Sequence, residues 1–187
     1  MSKKPGRAEN PYKQAKKLYQ WIMENMQEKP SPPHERGAES SLISKEGDCG
    51  DYSFIFTAAC RVLGIPARPV FGEFLSKRGN KQRRAHAWAE FYLPKYGWIP
   101  VDPATAQGAE LNPEKAKFLG LKASCKGWFG HLDNKRIIYA KNMNLKIPLS
   151  RYEFPLEGNR MSVFQPSFFI GYPMMHAPEV IQEFKSK

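Results

Sequence analysis

The sequence predicts an α+β chain of helices and paired strands with a thiol at the head of one helix, and three stretches carry that prediction. Residues 11–27 (PYKQAKKLYQWIMENMQ) put Tyr12, Ala15, Leu18, Tyr19, Ile22 and Met26 on one stripe at helical spacing. Residues 49–63 form an apolar run that opens on Cys49 and closes at Gly64 and Pro66. Residues 85–93 (AHAWAEFYL) alternate small or apolar with larger side chains, turn at Pro94-Lys-Tyr-Gly97 and return as Trp98-Ile-Pro-Val-Asp102.

The remaining elements follow in chain order. Residues 1–10 are basic and polar and read as a flexible end. Residues 30–46, rich in Pro, Ser and Gly, read as a loop. In the helix over 49–63, Asp48 is a natural N-cap and Asp51 supports the first turn, while Tyr52, Ile55, Phe56, Ala59, Val62 and Leu63 give the core stripe. Residues 67–75 (ARPVFGEFL) read as a strand, and 76–84 as a basic loop. After Pro103 the chain reads as surface-like, with a short helix near 112–119. Residues 128–140 suggest a further strand or hairpin, and the Pro- and aromatic-rich tail over 141–187 reads as irregular chain or edge strand. The whole of 11–187 is taken as a single domain, a length sufficient to bury a core.

Composition narrows the function classes. Hydrophobic content of 41% and charged content of 25% are ordinary for a globular domain. No apolar run approaches the roughly 18 residues a membrane span needs, so no membrane partner is expected. The start, Met1-Ser-Lys-Lys-Pro-Gly, lacks the apolar segment of a signal peptide. The default compartment is therefore the cytoplasm, with a trimmed secreted or periplasmic chain as the alternative. Three cysteines, Cys49, Cys60 and Cys125, are too few and too scattered for a disulfide framework or a CxxC metal site. A bridge between Cys60 and Cys125 is one reading, and two reduced buried thiols the preferred one. No metal and no cofactor is expected. The net charge of +11 is partly local, with Lys77, Arg78, Lys81, Arg83 and Arg84 in one segment. That loop, 77–84, is either a solvated run or a collar for an acidic substrate or polyanion.

The chemistry centres on Cys49. The first residue of a helix sits where unpaired backbone N–H groups and the helix dipole favour the nucleophilic thiolate. Asp48 sets a negative charge beside it, which the N-cap role offsets by engaging that charge with backbone donors. A thiol nucleophile needs a base, and the base an orienting group. On the hairpin, His86, Trp88, Glu90 and Tyr92 share one face, as do Trp98, Pro100 and Asp102 on the return strand. Paired positions in an antiparallel ladder have a constant sum. An even sum of 188 or 190 puts His86 and Asp102 on one side within reach and stacks Ala87, Ala89, Phe91, Ile99 and Val101 on the other. The apolar pattern and the candidate Cys49–His86–Asp102 constellation therefore ask for the same register. His34, His131 and His176 lack an equivalent setting, and His131 reads as structural or as a rim residue.

The blocks GDCGDYSFIFTAACRVLGIPARPVFGEF, AHAWAEFYLPKYGWIPVDPA and WFGHLDNKRI together resemble the core of the transglutaminase-like superfamily, microbial relatives of transglutaminases and papain-type cysteine peptidases. The resemblance covers roughly residues 11–140. It implies a papain-like α+β fold, with the catalytic helix packed on an antiparallel β-sheet, and a catalytic triad of Cys49, His86 and Asp102, acting through a thioester acyl-enzyme on a protein or peptide substrate. Cysteine peptidase or amidase activity is expected ahead of protein-glutamine transglutamination. A catalytically silent binding or scaffold module, engaging a polyanion through its basic loop, is the rival. The Gln or Trp that supplies a second oxyanion donor upstream of the nucleophile in papain-type and animal transglutaminase sequences has no counterpart in GAESSLISKEG, leaving Ser41, Ser44, a more distant group or backbone for that role. Trp88 and Trp98 are expected to flank the site, as substrate-binding walls or as packing.

Overall fold

The computed structural model describes residues 10–29, 37–75, 84–111, 114, 128–142, 162–164 and 167–169. The predicted flexible end up to residue 9, most of the basic loop, the greater part of the 112–119 helix, Cys125 and nearly all of the tail lie outside the described residues.

Helix α1 (Pro11–Asn25) starts where Asn10 Oδ1 accepts from the Tyr12 amide at 2.9 Å, with Pro11 in the first turn, where its missing N–H costs nothing. Ala15, Tyr19, Ile22 and Met26 are buried, whereas Tyr12 is 41% exposed at the margin of the stripe. The chain leaves α1 through strand β1 (Gln27–Glu28). The segment read as loop in fact contains helix α2 (Ala38–Ser44), followed by strand β2 (Glu46–Gly47). Seven residues of helix among Ser and Gly carry too little periodicity to signal themselves, and what holds α2 is tertiary packing against the helix that follows. It closes at Lys45, in the left-handed region at φ 57°.

Strands β1 and β2 pair in parallel, Gln27 N–H donating to Lys45 C=O at 2.9 Å and Lys29 N–H to Gly47 C=O at 2.8 Å. This clip fixes the entry to helix α3 (Cys49–Val62) against the exit of α1. The start of α3 is a full capping box. Asp48 Oδ1 accepts from the Gly50 amide at 2.8 Å and more weakly from the Asp51 amide at 3.4 Å, and Asp51 Oδ2 accepts from the Asp48 amide at 3.0 Å. Tyr52, Ile55 and Phe56 are buried as expected. The stripe stops earlier than predicted, however: Val62 is 86% and Leu63 45% exposed, and Cys60 fills the inward position of that last turn. Gly64 takes the C′ position at φ +74°.

The sheet has the order β5-β4-β3-β6, built from β3 (Ala67–Phe74), β4 (Arg84–Leu93), β5 (Gly97–Val101) and β6 (Arg136–Ala140), all neighbours antiparallel. Pairs such as Ala89 with Val101 and Phe91 with Ile99 give the sum of 190, one of the two registers the apolar pattern demanded. Ala87, Ala89, Phe91 and Val101 are at most 1% exposed. The alanines let α3 approach the sheet closely, and Phe56 meets Phe91 edge-on at 6.0 Å. Phe129, bridged to Val101, packs on Phe91 and on Tyr12 and Tyr19 of α1, joining helix and sheet in one core.

Beyond β5 the structure corrects the sequence reading. Residues 103–111 are not surface-like but form helix α4 (Pro103–Leu111), with Ala104, Ala106 and Ala109 buried. Its Gln107 amide donates to the carbonyls of Met23 and Met26, capping the end of α1. A short hairpin, β7 (Ser162–Phe164) with β8 (Ser167–Phe169), is the described part of the late tail.

Candidate active site

Cys49 occupies the first position of α3, partly exposed, because the capping box starts the helix at Asp48. A Cβ on Gly47 would run into the Asp51 side chain, so the tight approach that makes the box possible requires glycine there. The Asp48 carboxylate is turned onto backbone donors, as its N-cap role asks.

His86 stands on β4, directly opposite Gly72 of β3, and is 7% exposed. Its ring stacks with Phe74 at 4.6 Å and with Trp88 at 6.2 Å. Nε2 lies 2.8 Å from Asp102 Oδ2 and 3.0 Å from Thr105 Oγ1. An ionised carboxylate only accepts, so Nε2 carries the hydrogen of that bond, and Nδ1 is the nitrogen left for the thiol of Cys49, the other charge and hydrogen-bond partner of this imidazole. Burial alone would push the His86 pKa down. The charges of Asp102 and Cys49, with hydrogen bonds to both, overcome burial and raise it from 6.5 to about 9.

Asp102 follows β5 and is fully buried. It is also the residue from which α4 starts: its Oδ1 accepts from the Thr105 amide at 2.9 Å, and its carbonyl from the Ala106 amide at 3.2 Å. An Asp-Pro pair in that position is a helix-start signal, Asp at the N-cap and Pro at the first turn, and it was the legible clue to α4. Oδ2 accepts from both His86 and Arg136 Nη1, the latter at 2.6 Å. Burial would raise the Asp102 pKa. The neighbouring His86 and Arg136 cations and the hydrogen bonds of His86 and Thr105 hold it well below the usual carboxylate range instead. The Cys49 thiol and the Asp102 carboxylate thus each sit at the positive end of a helix, α3 and α4.

The two tryptophans part company. Trp88 lies against His86 but is 2% exposed, which makes it packing for the imidazole rather than a wall of an open surface. Trp98 does not flank the site. It pairs with Tyr92, six positions along β4 from His86 and so about 20 Å away at the rise of a strand. There it is 39% exposed, with the Arg68 guanidinium 3.8 Å above its ring.

Thr105 and Arg136 are the residues that sequence reasoning missed. Arg136 lies within WFGHLDNKRI, but a single Arg at the head of a strand carries no signal of where its guanidinium points. Of the suggested oxyanion donors, Ser44 Oγ is engaged with the backbone of Ser41 and Glu46, and Ser41 Oγ is buried without a partner among the described residues. His131 is exposed. Cys60 is a free, buried thiol whose burial pushes its pKa up to about 12. No group of three His, Cys, Asp or Glu side chains that could hold a metal occurs among the described residues, nor any helix long and apolar enough to cross a membrane.

Residues 2–103 match the family model of the transglutaminase-like superfamily. An uncharacterised protein of Haemophilus influenzae is 27% identical over 201 residues, covering 88% of this chain and 54% of that protein. This chain therefore spans about half the length of that relative. A protein-glutamine gamma-glutamyltransferase of Pseudomonas aeruginosa is 36% identical over 83 residues, covering 40% of this chain and 12% of that protein. Among solved structures, a candidate cysteine protease of Cytophaga hutchinsonii is similar with a TM-score of 0.44 at 29% identity, covering 53% of this chain and 33% of that one.

Proposed function

Because the chain belongs to the transglutaminase-like superfamily, we propose that it is a thiol-dependent amide-bond enzyme in which Cys49, His86 and Asp102 form the catalytic triad and a protein or peptide is the substrate. The observation that carries the reading is the position of His86, hydrogen-bonded through Nε2 to a buried, ionised Asp102 at 2.8 Å while the same ring is a partner of Cys49. An imidazole oriented and charge-supported in that way is what a thiol nucleophile needs.

In this mechanism the Cys49 proton resides on His86, and the thiolate attacks the amide carbonyl carbon. The α3 N-terminus favours the negative charge that develops there. The tetrahedral intermediate collapses with cleavage of the C–N bond, His86 gives its proton to the departing amine, and a thioester is left on Cys49. His86 then takes a proton from water as the water attacks the thioester, which releases a carboxylic acid and regenerates the thiol. Hydrolysis is the proposed outcome; attack by a second amine in place of water would make the same site a transglutaminase.

An acyl-electrophile probe, read by mass spectrometry with and without added primary amine, tests this. The expected result is a single acyl adduct on Cys49, absent in Cys49→Ser and formed about a hundredfold more slowly in His86→Ala. Loss of the adduct at the same rate with and without amine supports hydrolysis, whereas transfer to the amine makes the enzyme a transglutaminase. Equal, slow labelling of Cys49 and Cys60 would overturn the enzymatic reading in favour of a silent module.

A further inference from the structure

Arg136 opens β6, the edge strand of the sheet, yet its side chain runs inward and is 5% exposed. Nη1 donates to Asp102 Oδ2 at 2.6 Å and Nε to Asp133 Oδ2 at 3.0 Å. The guanidinium lies 4.6 Å from the Phe74 ring centroid, 5.1 Å from that of Trp88 and 5.0 Å from that of Trp128. Phe74 and Trp88 are the two rings that stack with His86, so cation and imidazole share their walls. Trp128 is tied to the site by its carbonyl as well, which accepts from the Asp102 amide at 2.9 Å. One carboxylate oxygen, Asp102 Oδ2, therefore serves two donors of like charge. The segment matched by the family ends at residue 103, so Arg136 and Asp133 lie beyond it.

We propose that Arg136 is a positioning residue that locks Asp102 and divides its charge, keeping the His86 imidazolium labile enough to give up its proton. A buried carboxylate with His86 as its sole cation would hold the imidazolium more firmly, and that group must donate and recover a proton in each cycle. A second, permanent cation on the same oxygen keeps the carboxylate ionised while weakening its hold on His86. Asp133, at the other end of the fork, fixes the guanidinium without itself touching His86. Among the described residues, the charged and titratable groups around His86 are Cys49 from α3, Asp102 at the head of α4 and Arg136 from β6. Asp48 and Asp51 at the α3 terminus are turned onto backbone amides, and Glu90, on the same face of β4, is paired with Arg68 and Lys141. The catalytic meaning of the clamp rests on the function proposed above, but its electrostatic content does not.

The test is therefore the titration of His86 itself, followed by NMR of its ring carbon-bound proton and assigned against His86→Gln. Arg136→Gln is expected to raise the midpoint by about one pH unit, and Arg136→Lys to hold it close to the parent value. In turnover assays the alkaline limb of kcat/KM moves up with the midpoint. A cooperatively folded Arg136→Gln protein whose His86 midpoint is unchanged or lowered overturns the proposal. Should Arg136→Gln fail to fold, an unchanged midpoint in the apolar, similarly long Arg136→Met overturns it equally. A parent protein that forms no acyl-enzyme would sink the enzymatic reading while leaving the His86 titration to decide this one.

Discussion

Asp102 is the residue on which the site turns. It accepts from an imidazole, a guanidinium and a backbone amide, and it starts a helix. Asparagine in its place would keep the shape, remove the charge and leave the buried Arg136 with Asp133 as its remaining carboxylate partner. Asp102→Asn is expected to slow iodoacetamide labelling of Cys49 at pH 6 by about a hundredfold. It should also destabilise the protein by about 3 kcal/mol, as breaking a buried ion pair does. Unchanged labelling would remove Asp102 from the machinery. Cys49, His86 and Asp102 could be picked out of the sequence because each is marked by local pattern: a helix start, a strand face and a strand end. Arg136 and Thr105 carry no such mark. Their positions depend on where β6 and α4 fall in space, and side-chain direction across non-neighbouring elements leaves no periodicity to read.

At the level of elements, long periodic segments were legible and short or cap-defined ones were not. The stripe of α1, the box at the head of α3 and the alternation of β4 announce themselves through repetition. Helix α2 is too short to do so, and α4 is marked only by the Asp-Pro pair at its start. The core stripe of α3 runs too far in the sequence reading because Val62 and Leu63 are apolar, whereas both are exposed and Cys60 takes the inward position. The capping box predicts that Asp48→Ala lowers stability by about 1 kcal/mol in urea unfolding, and that Asp48→Asn loses much less. A stability equal to the parent's in Asp48→Ala would show the cap to be dispensable. The pairing of β3 with β6 gives a second prediction. A methyl group on Gly72 would collide with the Ile137 carbonyl and come within 2.9 Å of the Trp88 ring. Gly72→Ala is expected to cost about 1–3 kcal/mol, as overpacking does, and by displacing β6 to loosen Arg136 from Asp102. A thermal melt identical to that of the parent contradicts this.

For the whole molecule the titrating groups define a stability profile. The folded-state pKa of His86 is raised from 6.5 to about 9, so its contribution is complete below 6.5 and lost as pH climbs to about 9. It amounts at most to something on the order of 3 kcal/mol. Asp102 is shifted the other way, so its contribution is present above its ordinary value of 3.8 and fades only in strong acid. Burial of Cys60, raised from 9.0 to about 12, adds a further loss above pH 9. Urea unfolding is therefore expected to show maximal stability between about pH 4 and 6.5, with a decline toward pH 9 that flattens in His86→Gln. A decline of equal slope in that variant would assign it elsewhere.

The clamp on Asp102 has a consequence for biosynthesis. A ribosome delivers Cys49 first, then His86, then Asp102, and only later Arg136 from the far edge of the sheet. The Cys49 thiol is thus exposed to the cell before His86 exists, and His86 before the Asp102 carboxylate is secured. On the proposed function, a nascent or prematurely terminated chain would carry the nucleophile without the tuned partner, and the synthetic order completes the constellation only when Arg136 has been added.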